Sequence, residues 1–154
     1  MTKRNKSFFK AAKAMSELSD FHKEHLGCVI TCGSRIISSG YNETKTSPLQ
    51  KELNALRFSA DTPHSNHSEV KALMPLIHRK DINFKDCSIY VYREHRNGHT
   101  ALARPCKSCE KLIRDLGIKR IYYTVEDGFA EERWNYGENY GIRKSLYKVF
   151  SQEA

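Results

Sequence analysis

Two short segments rich in metal-binding residue types constrain this chain more than any other feature. The first is His67-Ser68-Glu69, and the second is Pro105-Cys106-Lys107-Ser108-Cys109. Cysteines at positions i and i+3 lie on one face of a helix, so one ion can bind both thiolates. A helix N-terminus also favours the thiolate over the thiol. The chain must therefore bring the two segments together if His67, Cys106 and Cys109 are to share one metal ion.

The apolar pattern predicts helices and strands in alternation along the chain. Residues 28–32 and 35–39 are β-rich and flank Gly33-Ser34, which is typical of a hairpin. Helical spacing predicts a first helix over 7–24 and a last helix marked by Ile142, Leu146, Val149 and Phe150. The remaining predicted elements are a short helix around 49–58, a helix from about 67, a strand over 87–92, a helix over 106–116 and a strand over 118–125.

Capping and turn residues set the expected ends of these elements. Ser65 and Asn66 are expected to cap the helix that begins near residue 67, and Pro75 to kink or end it. Gly117 is expected as the C-cap of the cysteine helix, and Asn97-Gly98 as a tight turn. Strands separated by helices predict an α/β fold, with parallel pairs in a mixed sheet and helices on both faces. Since no repeat or linker is evident, we expect one domain over residues 1–154.

The two segments together match the pattern H-x-E…P-C-x-x-C, the signature of zinc-dependent nucleobase deaminases. Zinc with three protein ligands keeps a fourth position for water and lowers the pKa of that water. Glu69, two residues past a ligand, would lie beside the water and move its proton. Two alternatives remain open. A structural zinc site would need a fourth ligand, such as His64 or Cys87, and a redox C-x-x-C would leave His67 and Glu69 without a role.

Residues 8–127 resemble the cytidine and deoxycytidylate deaminase superfamily. Besides the two motifs, residues 27–30 and 33–42 are similar to the first hairpin of deoxycytidylate deaminases, and residues 117–123 to the stretch after the cysteine helix. The resemblance implies a three-layer α-β-α fold with a five-stranded mixed sheet, a Zn²⁺ cofactor and Glu69 as the catalytic residue. It also implies that Asn42 contacts the sugar or base of a substrate. We expect Ser68 and Pro105, within the two motifs, to contribute to the same substrate site.

The resemblance implies hydrolytic deamination of a cytosine nucleotide, foremost deoxycytidylate, to the uracil nucleotide and ammonia. The alternative within the superfamily is a deaminase of single-stranded DNA or tRNA, and the formal charge of +8 suits both. Three departures bear on the substrate. Residues 43–45 lack the Gly-x-Pro that often follows Gly-Tyr-Asn, Lys71 stands where asparagine is common, and the segment 93–104 is longer than usual. A third hypothesis, a non-catalytic zinc module that binds nucleic acid, would have no need of Glu69.

Composition and patterning lead to further expectations. The chain shows no signal-peptide pattern and no apolar run of membrane-spanning length, so we expect a cytoplasmic protein. Members of the superfamily are often oligomers, which implies a homo-oligomer here. Cys28 and Cys32, on one face of a strand, are expected as small core residues.

Two further hypotheses concern the histidines and the C-terminal tail. A second metal site would draw on His22, His25, His78, His95 and His99. The tail over 129–150 interleaves basic residues with Trp134, Tyr136, Tyr140 and Tyr147. That pattern suits single-stranded nucleic acid, and a helix that packs on the sheet is the preferred alternative.

Overall fold

One mixed sheet of six strands organises the part of the chain that the structure, a computed structural model, describes: residues 1–21, 23–56, 66–135 and 141–148. The strands are β1 Leu26–Cys32, β2 Arg35–Tyr41, β3 Cys87–Arg93, β4 Arg120–Val125, β5 Gly128–Asn135 and β6 Gly141–Lys148, in the order β2-β1-β3-β4-β5-β6. The helices are α1 Lys3–Ser16, α2 Pro48–Leu56, α3 Ser68–Leu73 and α4 Lys107–Leu116. Only β3 and β4 run parallel within this sheet. The predicted α/β class and mixed sheet are confirmed, and the expected count of five strands is wrong.

Helices cover both faces of the sheet, as predicted. Alternate residues of β1 point to opposite faces, because side chains alternate along a strand. Val29 packs with Phe8 and Phe9 of α1 on one face. Ile30 belongs to the core of the other face, which α3 and α4 cover with residues such as Leu73 and Ile113. Cys28 is fully buried in this second core and Cys32 packs against it, as expected for small core residues.

The first helix lies earlier in the chain than the prediction over 7–24. The side chain of Thr2 caps α1 by accepting a hydrogen bond from the Asn5 amide at 3.1 Å. The helix ends at Ser16, whose hydroxyl donates to the Lys13 carbonyl at 2.6 Å. Leu18, expected on the apolar stripe, is 59% exposed, whereas Phe21 is buried from a non-helical segment. Apolar residues on both sides of the true helix end therefore extended the helical pattern beyond it.

The predicted last helix is wrong, because residues 141–148 form β6, which pairs antiparallel with β5. Ile142 and Leu146 are four residues apart, a spacing that places both on one face of a helix and also on one face of a strand. Both side chains are exposed here. Val149 and Phe150 lie outside the described residues.

The predicted helix near residue 67 is α3, but the predicted caps are wrong. His67 is the N-cap, and Asn66 instead forms an isolated bridge with Glu43. Ser65 lies outside the described residues. The helix ends at Leu73 and continues as a 3-10 turn, Met74–Leu76, so the interruption at Pro75 is confirmed.

Gly40 positions α3 on the sheet. A Cβ at Gly40 would lie 2.7 Å from the Ser68 carbonyl oxygen and 2.7 Å from the Ala72 amide nitrogen. The hydroxyl of Ser38, two residues earlier on β2, donates to the Ala72 carbonyl at 2.6 Å. The backbone of α3 thus rests directly on β2, which places its first residues beside the strand end at Tyr41.

Candidate metal and catalytic site

The two sequence segments meet where α3 and α4 begin. The Nδ1 atom of His67 lies 3.3 Å from the sulfur of Cys109 and 3.5 Å from the sulfur of Cys106. The ligating atoms of all three residues lie within 4.8 Å of one another. Nitrogen and sulfur ligands of one tetrahedral zinc ion lie about 3.5 Å apart, given bond lengths of about 2.0 and 2.3 Å. The three side chains therefore fit a single zinc ion, and their imidazole and thiols are donors that zinc prefers.

No second cluster of this kind, with three or more His, Cys, Asp or Glu side chains, occurs among the described residues. His95 instead contacts Glu126 at 3.0 Å, and His99 contacts Asp127 at 2.7 Å. Cys87, the predicted alternative fourth ligand, is not part of the His67 group. His22 and His64 lie outside the described residues.

The start of α4 presents both cysteines. Cys106 is the N-cap of α4, and Cys109 follows in its first turn, fully buried. Gly117 caps the far end with a left-handed φ of 95°, as predicted. A hydrogen bond with Cys109 outweighs burial and, together with His67, lowers the pKa of Cys106 to about 2. A thiolate at this position suits a metal ligand, because metals bind the deprotonated sulfur.

Glu69 lies next to this group and is almost completely buried, with 3% of its surface exposed. Burial raises the pKa of Glu69 above its ordinary range, although the Ser68 hydroxyl donates to its Oε1 at 2.6 Å. A carboxyl group with a raised pKa is suited to accept a proton and return it near neutral pH. The structure therefore brings Glu69 together with the three predicted ligands.

Gln50 on α2 positions the histidine, and the sequence analysis missed it. The backbone N–H of His67 donates to Gln50 Oε1 at 2.9 Å, and Gln50 is fully buried. Its neighbours Leu49 and Leu53 pack with Val70 and Cys109. A glutamine beside the apolar stripe of a short helix was the available signal, since a buried amide requires a hydrogen-bond partner.

A cleft of about 360 Å³ opens above the site. Its lining includes His67, Ser68, Glu69 and Cys106. The remaining lining residues include an apolar group, here called the wall, and a charged group, here called the rim, together with Asn42. The wall is Phe21, Leu26, Leu102 and Ala103, and the rim is Lys23, Glu24, Arg93 and Arg104. Pro105 is buried and is not among the lining residues, so its expected place in a substrate site stays a prediction.

Asn42 uses both ends of its side-chain amide to hold the cleft wall. Its Oδ1 accepts from the Leu26 amide at 2.8 Å, and its Nδ2 donates to the Glu24 carbonyl at 2.8 Å. Asn42 is 4% exposed and borders the cleft. These bonds give Asn42 a role in shaping the cleft, and its contact with a substrate stays a prediction.

Two of the three departures from the family pattern, Lys71 and the segment 43–45, contact each other in the structure. The Lys71 ammonium lies 3.1 Å from the Glu43 carboxylate and 3.6 Å from the centre of the Tyr41 ring. These contacts join α3 to the chain that follows β2, next to Asn42. Lys71 is therefore engaged beside the cleft wall and does not line the cleft.

The segment 93–104 forms one side of the cleft and is tied to β4 and β5. Arg104 Nε donates to Glu132 Oε2 at 2.7 Å, and Nη2 donates to Glu132 Oε1 at 3.0 Å and to Glu110 Oε1 at 2.6 Å. Tyr123 and Trp134 donate to the same Glu132 carboxylate. Burial opposes ionisation of Glu132, but these donors outweigh it and lower the pKa of Glu132 to about 2. An ionised, buried carboxylate thus anchors the residue that precedes Pro105-Cys106.

The aromatic tail does not offer Trp134 for base stacking. Trp134 is 2% exposed, within the core that α3 and α4 cover. Tyr147 is partly buried on β6, and its hydroxyl lies near Glu131. Tyr136 and Tyr140 lie outside the described residues. In the part of the chain that the structure describes, no helix combines the length and apolar character needed to cross a bilayer.

A known protein family matches the part of the chain that contains this site. The model of the family described as cytidine and deoxycytidylate deaminase zinc-binding region matches residues 2–125. The deoxycytidylate deaminase of Mycobacterium phage D29 is 26% identical over 122 residues, which cover 77% of this chain and 92% of that protein. The deoxycytidylate deaminase of Pongo abelii is 28% identical over 104 residues, which cover 64% of this chain and 51% of that protein. The chain thus spans about half the length of this mammalian relative.

A solved structure shares the fold. The dCMP deaminase of the cyanophage S-TIM5, in complex with dCMP and dUMP, superposes with a TM-score of 0.56. The match covers 80% of this chain and 82% of that one at 17% identity. At this identity the likeness concerns the fold alone.

Proposed function

Because the chain belongs to the family of the cytidine and deoxycytidylate deaminase zinc-binding region, which its residues 2–125 match, we propose that it hydrolyses the amino group of a cytosine mononucleotide, deoxycytidylate, to give deoxyuridylate and ammonia. The observation that carries the proposal is the buried Glu69 carboxyl beside the group of His67, Cys106 and Cys109. A non-catalytic zinc site has no use for a carboxyl in this position.

The ligand group fits zinc, which when bound supplies a water molecule of lowered pKa as the nucleophile. Glu69 would accept one proton from the attacking water as the water oxygen bonds to C4 of the base. Glu69 would then deliver this proton to N3, accept the second proton from the new hydroxyl on C4, and pass it to the exocyclic nitrogen, which leaves as ammonia when the C4–N bond breaks. Burial suits Glu69 to both transfers, since its raised pKa lies closer to neutrality than that of an exposed glutamate.

The cleft suits a single nucleotide. Its volume of about 360 Å³ lies in the range of sites for small molecules. The apolar wall of Phe21, Leu26, Leu102 and Ala103 can pack against a base, while the rim is charged. Two of the three rim cations are neutralised, because Arg93 pairs with Glu24 at 3.2 Å and Arg104 with Glu132. Lys23 has no ion pair with another described residue, so we assign it to the substrate's phosphate.

A substrate comparison tests the proposal. Purified protein is incubated with dCMP, deoxycytidine and a single-stranded oligonucleotide of equal cytosine content, and ammonia release is measured at low and moderate salt. We expect kcat/KM to be highest for dCMP, with a shallow salt dependence because one phosphate is bound. A preference for the oligonucleotide that collapses as salt rises would show a polynucleotide deaminase instead, since contacts to several phosphates give a steep slope.

Metal analysis tests the ligand assignment separately. We expect about one zinc per chain in protein purified without chelators, and a large loss of zinc in Cys109→Ser. Cys28→Ser is the matched control, because Cys28 is also buried but lies outside the ligand group. Full zinc content in Cys109→Ser would show that the ligands are misassigned.

A further inference from the structure

Two cysteines outside the site face each other across the sheet. Cys32 ends β1 and Cys87 begins β3, and the two are directly opposed in the antiparallel register. Both side chains point to the same face, where Cys87 is fully buried and Cys32 packs against the same core. Opposed residues of an antiparallel pair have Cα atoms about 4.5–5.5 Å apart. A disulfide needs about 4.4–6.8 Å, so the backbone already permits the bond.

The two thiols also contact each other. Burial raises the pKa of Cys87 to about 12, and the charge and hydrogen bond of Cys32 add to this effect. Cys32 is the partly exposed member of the pair, whereas the Cys87 sulfur also contacts the Asn83 carbonyl at 3.6 Å. An oxidant from solvent therefore reaches Cys32 first and leaves Cys87 in place as the second thiol.

We propose that Cys32 and Cys87 form an intramolecular disulfide when the protein meets a peroxide, which makes this pair a reversible modification site at the sheet end away from the cleft. The Cys32 thiol attacks the peroxide, its O–O bond breaks, and a sulfenic acid and one water form. The Cys87 sulfur then attacks the Cys32 sulfur, the S–O bond breaks, and the second water leaves. Two thiols and one hydrogen peroxide thus give one disulfide and two waters.

The position of the pair decides what the crosslink does. Leu26, at the other end of β1, borders the cleft, and six residues of strand place it about 20 Å from Cys32. The crosslink therefore leaves the cleft alone. It closes a loop over residues 33–86 that includes β2, α2 and α3, and a loop of this length restricts the unfolded chain strongly. The oxidised protein is expected to be more stable and equally active.

Peptide mapping of peroxide-treated full-length protein tests the proposal. Trypsin leaves Cys28 and Cys32 together on residues 24–35 and places Cys87 on residues 86–93. We expect these two peptides to be crosslinked in the wild type and in Cys28→Ala, and separate in Cys32→Ala. Reduction with a thiol should restore the separate peptides.

Thermal unfolding gives the second measurement. We expect oxidation to raise the Tm of the wild type by roughly 5–10 °C and to leave that of Cys32→Ala unchanged. Separate peptides in a wild-type sample in which Cys32 is oxidised would overturn the proposal. So would a crosslink confined to residues 97–107 and 108–111, which carry Cys106 and Cys109. Neither result depends on which substrate the protein deaminates.

Discussion

The guanidinium of Arg104 binds the carboxylate of Glu132 through two hydrogen bonds, from Nε at 2.7 Å and from Nη2 at 3.0 Å. The pair joins β5 to the residue two positions before Cys106. Glu132 is 2% exposed and Arg104 about one third exposed, so the ion pair is largely shielded from water. An arginine and a carboxylate joined by two hydrogen bonds interact more strongly than an exposed ion pair. Removing one partner leaves the charge of the other without its counter-charge.

Glu132→Gln is therefore expected to destabilise the protein by roughly 2–3 kcal/mol, because Arg104 loses a charged acceptor but keeps Glu110. Urea unfolding measures this. Since Arg104 holds the chain that enters α4, the variant should also lose zinc faster to a chelator. Glu131→Gln is the control, because the carboxylate of Glu131 lies 3.4 Å from Arg133, whose side chain is exposed. Equal stability of the two variants would contradict the role assigned to Glu132.

The same pair predicts a pH dependence. The pKa of Glu132 is lowered to about 2 from an ordinary value of 4.5, so its ionised form is favoured by folding. The stabilisation is present above the ordinary pKa and is lost as the pH falls from about 4.5 towards 2. Because the ordinary pKa is about 4.5, the difference in unfolding free energy between wild type and Glu132→Gln should be constant between about pH 5 and about pH 7. It should shrink as the pH falls below about 4.5. A difference that grows on acidification would contradict the assignment.

Gly40→Ala is expected to displace α3. The new methyl group would lie 2.7 Å from backbone atoms of Ser68 and Ala72. Backbone atoms cannot rotate away from the methyl group as the end of a flexible side chain can. Overpacking of this kind costs about 1–3 kcal/mol, and here the strain falls on the helix that carries Glu69. We expect at least a tenfold loss of kcat/KM together with a lower Tm. Ser39→Ala, on the exposed neighbouring position of β2, is the control and should retain activity.

The sequence predicted those parts of the molecule whose local pattern is unambiguous. Gly33 and Gly117 occupy left-handed backbone positions that glycine favours, and the hairpin and the end of α4 were predicted from them. The metal-ligand group was predicted because the types of its residues and their spacing can be recognised in the sequence without knowing how the chain packs. Gln50 was missed as a partner of His67, since its hydrogen bond joins residues 17 positions apart along the chain.

The C-terminal strands show why the rest was missed. Buried positions of β5 alternate in period two but include Glu132, whose charge breaks the apolar pattern of a half-buried strand. Only the partner Arg104, distant in sequence, makes that carboxylate acceptable in the core. Ile142 and Leu146 fit either period, so the segment was assigned to a helix.

Glu69→Gln is expected to retain the fold and the zinc, because the amide is nearly isosteric with the carboxyl. It should lower kcat by about 10²–10⁴-fold or more, since one group performs each proton transfer. Zinc content and steady-state kinetics are measured on the same preparation. Glu52→Gln, an exposed change of the same type on α2, should have no effect. Near-normal turnover in Glu69→Gln would mean that another group moves the proton.

Lys23 offers a direct test of the proposed contact with a substrate phosphate. Its exposed side chain lines the cleft, and the other two rim cations, Arg93 and Arg104, are paired with carboxylates. An ammonium that binds one phosphate contributes to substrate affinity and does not touch the reacting carbon. We therefore expect Lys23→Ala to raise KM for dCMP by roughly tenfold, equivalent to about 1.4 kcal/mol of lost binding, with kcat nearly unchanged.

Deoxycytidine, which lacks the phosphate, should be turned over equally by the variant and the wild type. Lys10→Ala, at an exposed position of α1 outside the cleft lining, controls for the loss of one positive charge. An equal loss of activity on dCMP and deoxycytidine would show that Lys23 shapes the cleft and does not bind the phosphate.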